Sequence, residues 1–317
     1  MTGRRVALLV NPHAGDGKLV RHAHSLAERI ARSGATVEVL RGARPADTAR
    51  LAYEQVAHGV DSLVVMGGDG MVHAGVNAVA GTATALGVIA CGTGNDFARA
   101  VGLPVHDPVA AADLIAAGQV TRLDLARIEH DPGPGGRARP QRWVASVLAV
   151  GFDSRVADRA RRMRVLSGHV RYLACVAGEL RVFRRTPMRL LLDGREVSGD
   201  RLLVAVGNTA GYGGGLQMCA GANPTDGLLR VVEVADATRL DLIRMFGRLY
   251  RGTHLGHRSI TVHDVREVRL ENLSGERLVP VGDGEPVGEL PMTVRAVPGA
   301  LRLHTGASDL HAAPATG

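Results

Sequence analysis

Short apolar runs alternate with helical patterns through residues 5–117. Residues 5–10 (RVALLV) read as a buried strand, and Val20, Ala23, Leu26, Ala27, Ile30 and Ala31 recur at helical spacing over 19–33, closed by Gly34. The same alternation predicts strands over 36–40, 62–66 and 85–90. It predicts helices over 46–58, over 71–79, through Phe97, Ala98 and Val101, and over 108–117. Apolar strands separated by helices of this length predict a parallel sheet covered on both faces. Ligands of such a sheet sit beyond the carboxyl ends of its strands.

From residue 122 the pattern changes. Strand-like runs recur over 122–129, 142–150, 188–192, 201–206, 228–234, 258–262, 267–270, 277–281, 292–297 and 301–304, with Asp193-Gly194 as a hairpin turn. Residues 131–136 (DPGPGG) form a loop, because Pro and Gly at this density hold no regular structure. Two helical stretches interrupt the strands, 153–183 (broken near Ser167-Gly168) and 238–250. The expected fold class is an α/β N-terminal domain with a parallel sheet, followed by a mostly antiparallel β-sandwich C-terminal domain. The boundaries fall at 1–123 and 124–298, and 306–317 reads as a frayed tail.

Composition narrows the class. The chain has 317 residues, 45% hydrophobic and 22% charged, which suits two domains with real cores and excludes collagen-like, coiled-coil and disordered chains. Aromatics are only 3%, so the cores are built from Val, Leu, Ile and Ala. No apolar run approaches the roughly 18–20 residues that span a bilayer. The apolar stretch 6–10 meets Asn11-Pro12 too soon to be a signal peptide. Cys91, Cys175 and Cys219 lack metal-ligand spacing, and an odd, sparse count fits a reducing, cytoplasmic compartment. The formal charge is +7, with Lys18 the single lysine, and favours anionic partners.

Three segments of the first domain share one design: an apolar strand, a small glycine-containing turn, then a helix. They are Asn11-Pro12-His13-Ala14-Gly15, Gly67-Gly68-Asp69-Gly70 and Gly92-Thr93-Gly94-Asn95-Asp96. Glycine lets backbone approach a ligand, and helix starts offer N–H groups to phosphate. Asp69 and Asp96 beside a phosphate require a cation between the oxygens, which Mg²⁺ supplies. Ordinary βα turns with Asp and Asn caps are the competing reading; three on adjacent strand ends favour a nucleotide–Mg²⁺ site. There is no P-loop, Phe97 occupies the third glycine position of a Rossmann fingerprint, and protein-kinase signatures are missing.

Taken in order, Asn11-Pro12-x-x-Gly15, GGDG (67–70), GTGNDFAR (92–99), Gly151-Phe152-Asp153, Asn208 with Gly213-Gly214-Gly215, Pro224-x-Asp226-Gly227 and Asp283-Gly284-Glu285 make the sequence resemble the diacylglycerol kinase catalytic family. The branch is that of the bacterial lipid kinases related to sphingosine and ceramide kinases, and the likeness covers nearly the whole chain. It implies a phosphofructokinase/NAD-kinase-like nucleotide domain, a β-sandwich lipid domain and an active site in the cleft between them, with a last strand (299–305) returning to the first domain. It implies ATP as co-substrate with Mg²⁺, and transfer of the γ-phosphate to a lipid hydroxyl, diacylglycerol to phosphatidate foremost. Asn11, Pro12, Gly15, Gly67, Gly68, Asp69, Gly70, Gly92, Thr93, Gly94 and Asn95 would hold the nucleotide. Glu285 would be the base, with Asp69 and Asp96 catalytic beside it. Asp226, Asn223 and the Leu228 carbonyl match a structural Mg²⁺ site.

The chain departs from the family at Met71 (usually Thr), His73-Ala74 (Asn-Glu), Cys91 (often Pro) and Arg41 (often Thr), which bears on ATP binding more than on the reaction. By itself the Glu285 turn reads as a solvated hairpin; the resemblance makes it catalytic. Lys18 either neutralises phosphate charge or is solvated. The alternatives are a sphingoid-base or ceramide kinase, an NAD kinase-like phosphotransferase, or a non-catalytic nucleotide- or lipid-binding homologue. Nine arginines between Arg155 and Arg185, with Tyr172, Leu173, Val176, Ala177, Leu180 and Phe183 on an apolar face, suit either anionic lipid or a core-facing helix. No nucleic-acid-binding pattern accompanies them. The expected location is cytoplasmic and peripheral at the inner face of the membrane, and a homodimer stays open.

Overall fold

A computed structural model of the chain describes residues 3–11, 18–42, 44–131, 141–162, 174–175, 177–179 and 181–306. Apart from Asp131, the loop expected at 131–136 lies outside these residues, as do the break at Ser167-Gly168 and the tail after 306. The chain divides into two units, Met1–Leu125 with Pro298–Gly317, and Ala126–Val297.

In the first unit β1 (Arg5–Val10), β2 (Thr36–Arg41), β3 (Ser62–Gly67) and β4 (Ala85–Ala90) pair in parallel in the order β2-β1-β3-β4. The crossovers are α1 (Lys18–Ala31), α2 (Pro45–Ala57) and α3 (Asp69–Val79), followed by α4 (Asp96–Ala100) and α5 (Pro108–Ala117). Val6, Leu8, Val10, Val64, Met66 and Ile89 share a core with Leu26 and Ile30 of α1 and Ile115 of α5. The other face meets α3, where a Cβ on Gly75 would strike Val65 and Leu86. Burial on both faces is why β1, β3 and β4 read as unbroken apolar runs, while the edge strand β2 (TVEVLR) is half-exposed. The last strand of the chain ends here too: Leu303 pairs in parallel with Leu86, and buried His304 Nε2 lies 2.9 Å from Ser62 Oγ.

The second unit is antiparallel. Its strands are the end of β5 (Val120–His130), β6 (Arg142–Val144), β7 (Val147–Gly151), β8 (Thr186–Leu192), β9 (Arg195–Arg201), β10 (Leu203–Gly207) and β11 (Leu229–Val234). β12 (Ile260–Val265), β13 (Glu267–Asn272), β14 (Val281–Gly282), β15 (Glu285–Pro286) and the start of β16 (Met292–His304) follow. One sheet runs β12-β11-β10-β7-β14-β15; the other joins β9, β8, β13 and β16. Leu148, Val150, Val204, Val206 and Val231 point into the core between the sheets, against Met188, Leu190, Val268 and Leu270. Their neighbours Val147, Ala149, Leu203, Ala205 and Val232 point the other way, under α6 (Phe152–Arg162) and α7 (Arg239–Leu249). The sandwich thus carries a helical layer on one sheet.

Several expected elements differ. The strand expected over 142–150 is two, β6 and β7, placed in different sheets and separated at Ala145-Ser146. β9 (REVSGDR) was not signalled, because an edge strand with one covered neighbour needs no apolar alternation. The run at 201–206 splits, since Arg201 ends β9 and β10 begins at Leu203. Only Val281 and Gly282 of the run at 277–281 are strand. Residues 292–297 and 301–304 form one strand, because Gly299 takes φ +62° and donates its N–H to Asp124 Oδ1 at 2.8 Å, carrying the chain past Pro298.

Burial first, then the charge of Arg4, lowers the His304 pKa to about 4 from an ordinary 6.5. The folded protein therefore holds this imidazole neutral while the unfolded chain protonates it. That contribution is complete above pH 6.5 and is lost as pH falls from 6.5 towards 4, about 3 kcal/mol in all. Denaturant unfolding between pH 7 and 4 should show this loss in the parent protein, and His304→Gln should flatten that part of the profile.

Candidate active site

β3 and β4 are adjacent and parallel, so the turns that follow them emerge side by side. Gly68 is the N-cap of α3 and carries no side chain to cap it. The Asp69 carboxylate reaches across to the second turn. Its Oδ2 accepts the Asn95 N–H at 2.8 Å and its Oδ1 accepts the Asp96 N–H at 2.7 Å. Asn95 is buried with φ +56°, and its side chain closes the turn onto Gly92, accepting from the Gly92 N–H at 3.0 Å and donating to its carbonyl at 2.8 Å. A Cβ on Gly92 would collide with Gly68 Cα, and one on Gly94 would collide with Asp69 Oδ2. The glycines are therefore required by the contact of the two turns.

This arrangement corrects one expectation. The first amides of α4 do not await a phosphate, because Asp69 takes those of Asn95 and Asp96. Both Asp69 oxygens are turned inward for that purpose, so its first task is to hold the turns together. The backbone at Gly68, Gly70, Thr93 and Gly94, with half-buried Asp96 beside it, forms the outward surface. Asn11 lies at the end of β1, its N–H donated to the Met66 carbonyl at 3.1 Å. Pro12 and Gly15, and the Lys18 side chain, lie outside the described residues. Met71 is buried against Gly67, so the position where the family carries Thr points inward here. Arg41 is exposed at the end of β2. Burial pushes the Cys91 thiol up, which leaves it a poor nucleophile.

In the second unit, Asp283 (φ +51°) and Gly284 (φ +86°) turn β14 into β15. The Asp283 carboxylate accepts the Ala145 and Ser146 N–H groups, each at 2.8 Å. Asn208 locks the same loop, donating from Nδ2 to the Ala145 carbonyl at 2.9 Å and from its N–H to the Ser146 carbonyl at 2.8 Å. Asp283 was not among the expected site residues. An Asp-Gly turn signals a hairpin, but nothing local tells which distant amides its carboxylate will meet. Glu285 is the next side chain after this locked turn. It is exposed and makes no hydrogen bond or ion pair among the described residues.

The expected structural Mg²⁺ residues serve their own loop. Asn223 Oδ1 accepts from Thr225 N at 3.2 Å and Thr225 Oγ1 at 2.8 Å, and Asp226 Oδ1 accepts from Leu228 N at 2.9 Å. Asp226 Oδ1 and the Asn223 amide oxygen are thus engaged within the loop itself. No cluster of three or more metal-ligating side chains occurs among the described residues. Of the helical stretch expected over 153–183, residues 163–173, 176 and 180 lie outside the described residues. Within its described part, α6 covers Phe152–Arg162, and Arg155 is bound to Glu179 and the Arg184 carbonyl, Arg184 to Glu276 and Arg185 to Asp236. The Arg161 and Arg162 side chains, Arg164, Arg171, Tyr172, Leu173, Val176 and Leu180 lie outside the described residues.

The diacylglycerol kinase catalytic domain model matches residues 5–128, and the YegS C-terminal NAD kinase beta sandwich-like domain model matches 146–305. The chain is 38% identical over 300 residues to the diacylglycerol kinase of Mycobacterium tuberculosis (strain H37Rv), covering 94% of each. It is 32% identical over 267 residues to a protein of Xanthomonas axonopodis pv. citri described as a probable YegS-like lipid kinase, covering 81% of this chain and 83% of that one. Among solved structures, a diacylglycerol kinase of Bacillus anthracis (strain Sterne) superposes with TM-score 0.70 at 20% identity over 98% of this chain and 99% of that one. The yeast NADH kinase bound to NADH gives 0.53 at 13% identity over 97% and 84%. No helix of the described residues is long and apolar enough to cross a membrane.

The two anchoring carboxylates predict a stability test. Asp69→Ala and Asp283→Ala each strand two amides and should lower the unfolding free energy by about 2–4 kcal/mol. Exposed Glu285→Gln should change it by less than about 0.5 kcal/mol. Chemical denaturation of the three variants measures the contrast, and an undisturbed Asp69→Ala would remove the anchoring role.

Proposed function

The chain belongs to the diacylglycerol kinase catalytic family of lipid kinases, and from that membership we propose that it moves the γ-phosphate of ATP onto a lipid hydroxyl, with diacylglycerol as acceptor and phosphatidate as product. Phosphoryl transfer leaves the protein little covalent work; positioning and charge neutralisation dominate. The observation that carries the reading is the pair of glycine turns pressed together beneath Asp69, a surface of bare backbone with Asp96 at its margin.

Asn11, Gly67, Gly68, Gly70, Gly92, Thr93, Gly94 and Asn95 shape the seat of the triphosphate, and Pro12 and Gly15 complete the matching motif. Mg²⁺ arrives with ATP as part of the substrate, and Asp96 is the carboxylate suited to its side of the phosphates. Asp69 acts as a positioning residue. Glu285 takes the hydroxyl proton as the lipid oxygen bonds to the γ-phosphorus and the bond to the bridging oxygen breaks, releasing ADP. Its fixed turn and unengaged carboxylate suit that task, since a base tied into an ion pair would have to break it first.

Purified protein given labelled ATP and Mg²⁺ should phosphorylate diacylglycerol in preference to a sphingoid base, ceramide or NAD. Glu285→Gln should retain ATP binding by calorimetry and lose turnover by about a hundredfold or more. Turnover of NAD alone, or transfer to no acceptor, would replace this reading by an NAD-directed or a non-catalytic one.

A further inference from the structure

Helix α7 is fixed from within. Thr238 and Asp241 form a reciprocal cap at its start, Asp241 and Met245 are buried, and Leu242 and Leu249 pack on the core of the sheet beneath. Its outer face has no such use. Leu240 is 51% exposed, Ile243 60% and Tyr250 50%, and Gly247 between them faces open space. At 100° per residue Leu240, Ile243 and Gly247 fall along the middle of that face, with Arg244 and Arg248 along one margin, and exposed Arg251 follows in the turn just past the helix end. Those three guanidiniums form no ion pair among the described residues, and the single acid of the helix, Asp241, is buried in the cap. Arg239 extends the surface: it donates to the Arg181 carbonyl at 2.8 Å and lies over the Phe183 ring, bringing 48%-exposed Val182 alongside.

We propose that the outer face of α7 docks this protein onto an anionic membrane leaflet. Leu240, Ile243 and Tyr250 enter the boundary between headgroups and acyl chains, and Arg244, Arg248 and Arg251 meet lipid phosphates. An exposed apolar ridge with basic flanks and an inner face already buried is the pattern of a helix lying in the interface plane. Charge selects the occupant. A second copy meeting this face by two-fold symmetry would bring three unpaired arginines against the same three, whereas an anionic surface neutralises them. The inference rests on the proposed lipid acceptor only for its purpose, because an enzyme whose substrate stays in the bilayer must reach it there.

Co-sedimentation of the full chain with vesicles tests the surface without reference to activity. The protein should pellet with phosphatidylcholine vesicles containing phosphatidylglycerol, and weakly with phosphatidylcholine alone. Leu240→Ser with Ile243→Ser, and separately Arg244→Gln with Arg248→Gln, should each weaken binding by about tenfold or more, with Tm unchanged because all four side chains are exposed. Both variants should still turn over dispersed short-chain diacylglycerol while losing activity on diacylglycerol held in vesicles. Unchanged vesicle binding in either variant overturns the proposal. So does a dimer in sedimentation velocity that Leu240→Ser with Ile243→Ser dissolves, since the face then joins two copies. If vesicle binding behaves as expected but no lipid is phosphorylated, the docking surface stands and the lipid kinase reading falls.

Discussion

A carboxylate that straddles two consecutive backbone amides is the interaction on which both functional turns depend. Asp69 takes the amides of Asn95 and Asp96, and Asp283 takes those of Ala145 and Ser146. In each case the two N–H groups belong to a segment where neither sheet nor helix can satisfy them, so without the carboxylate they would be left unmade in a half-buried place. Charge-assisted bonds of this kind are short and directional, and two on one planar group fix orientation as well as distance. Asp193 uses the same device at the β8–β9 hairpin, accepting the Arg266 and Glu267 amides. The repeated device shows that an Asp-Gly turn here is a connector to a distant loop as much as a reversal of the chain.

The acids of this protein therefore divide by what their oxygens already hold. Asp69 and Asp283 are engaged inward, Asp226 holds its own loop through Oδ1, and Glu285 projects from a turn whose geometry is set by Asp283, two residues before it. Rigid support and free carboxylate are thus separated onto two acids two residues apart, Asp283 and Glu285. The glycines follow the same logic. Gly68 and Gly92 allow two backbones to touch, and any side chain at Gly92 would force them apart. What reads in one dimension as a phosphate-binding signature is in three dimensions first a condition for packing the turns together.

The parallel strands β1, β3 and β4 of the first unit were readable from the chain because each is buried on both faces, whereas the edge strand β2 is half-exposed and alternates. The central strands β7 and β10 were readable as strands for the same reason, each pointing alternate residues into one of two cores. Sheet membership was not. The apolar run at 142–150 continues through Ala145 and Ser146, yet the strands on either side belong to different sheets, because Asp283 and Asn208 draw the intervening amides and carbonyls out of any ladder. The polar edge strand β9 carries no pattern, since its pairing is imposed by β8. Gly299 looked like an interruption of the final strand and is the residue that lets it continue.

By itself the sequence determined the alternation of strands and helices, the change to antiparallel structure, the glycine-rich turns at strand ends and the ordered motifs that mark a lipid kinase. These are local or periodic properties, set by side-chain size, glycine freedom and two simple repeats. The tertiary structure alone decided which distant amides Asp69 and Asp283 meet, that Asp69 faces inward, and that α7 leaves an apolar ridge uncovered. Those outcomes depend on groups distant along the chain coming within hydrogen-bonding or packing range, and no window of sequence contains both partners.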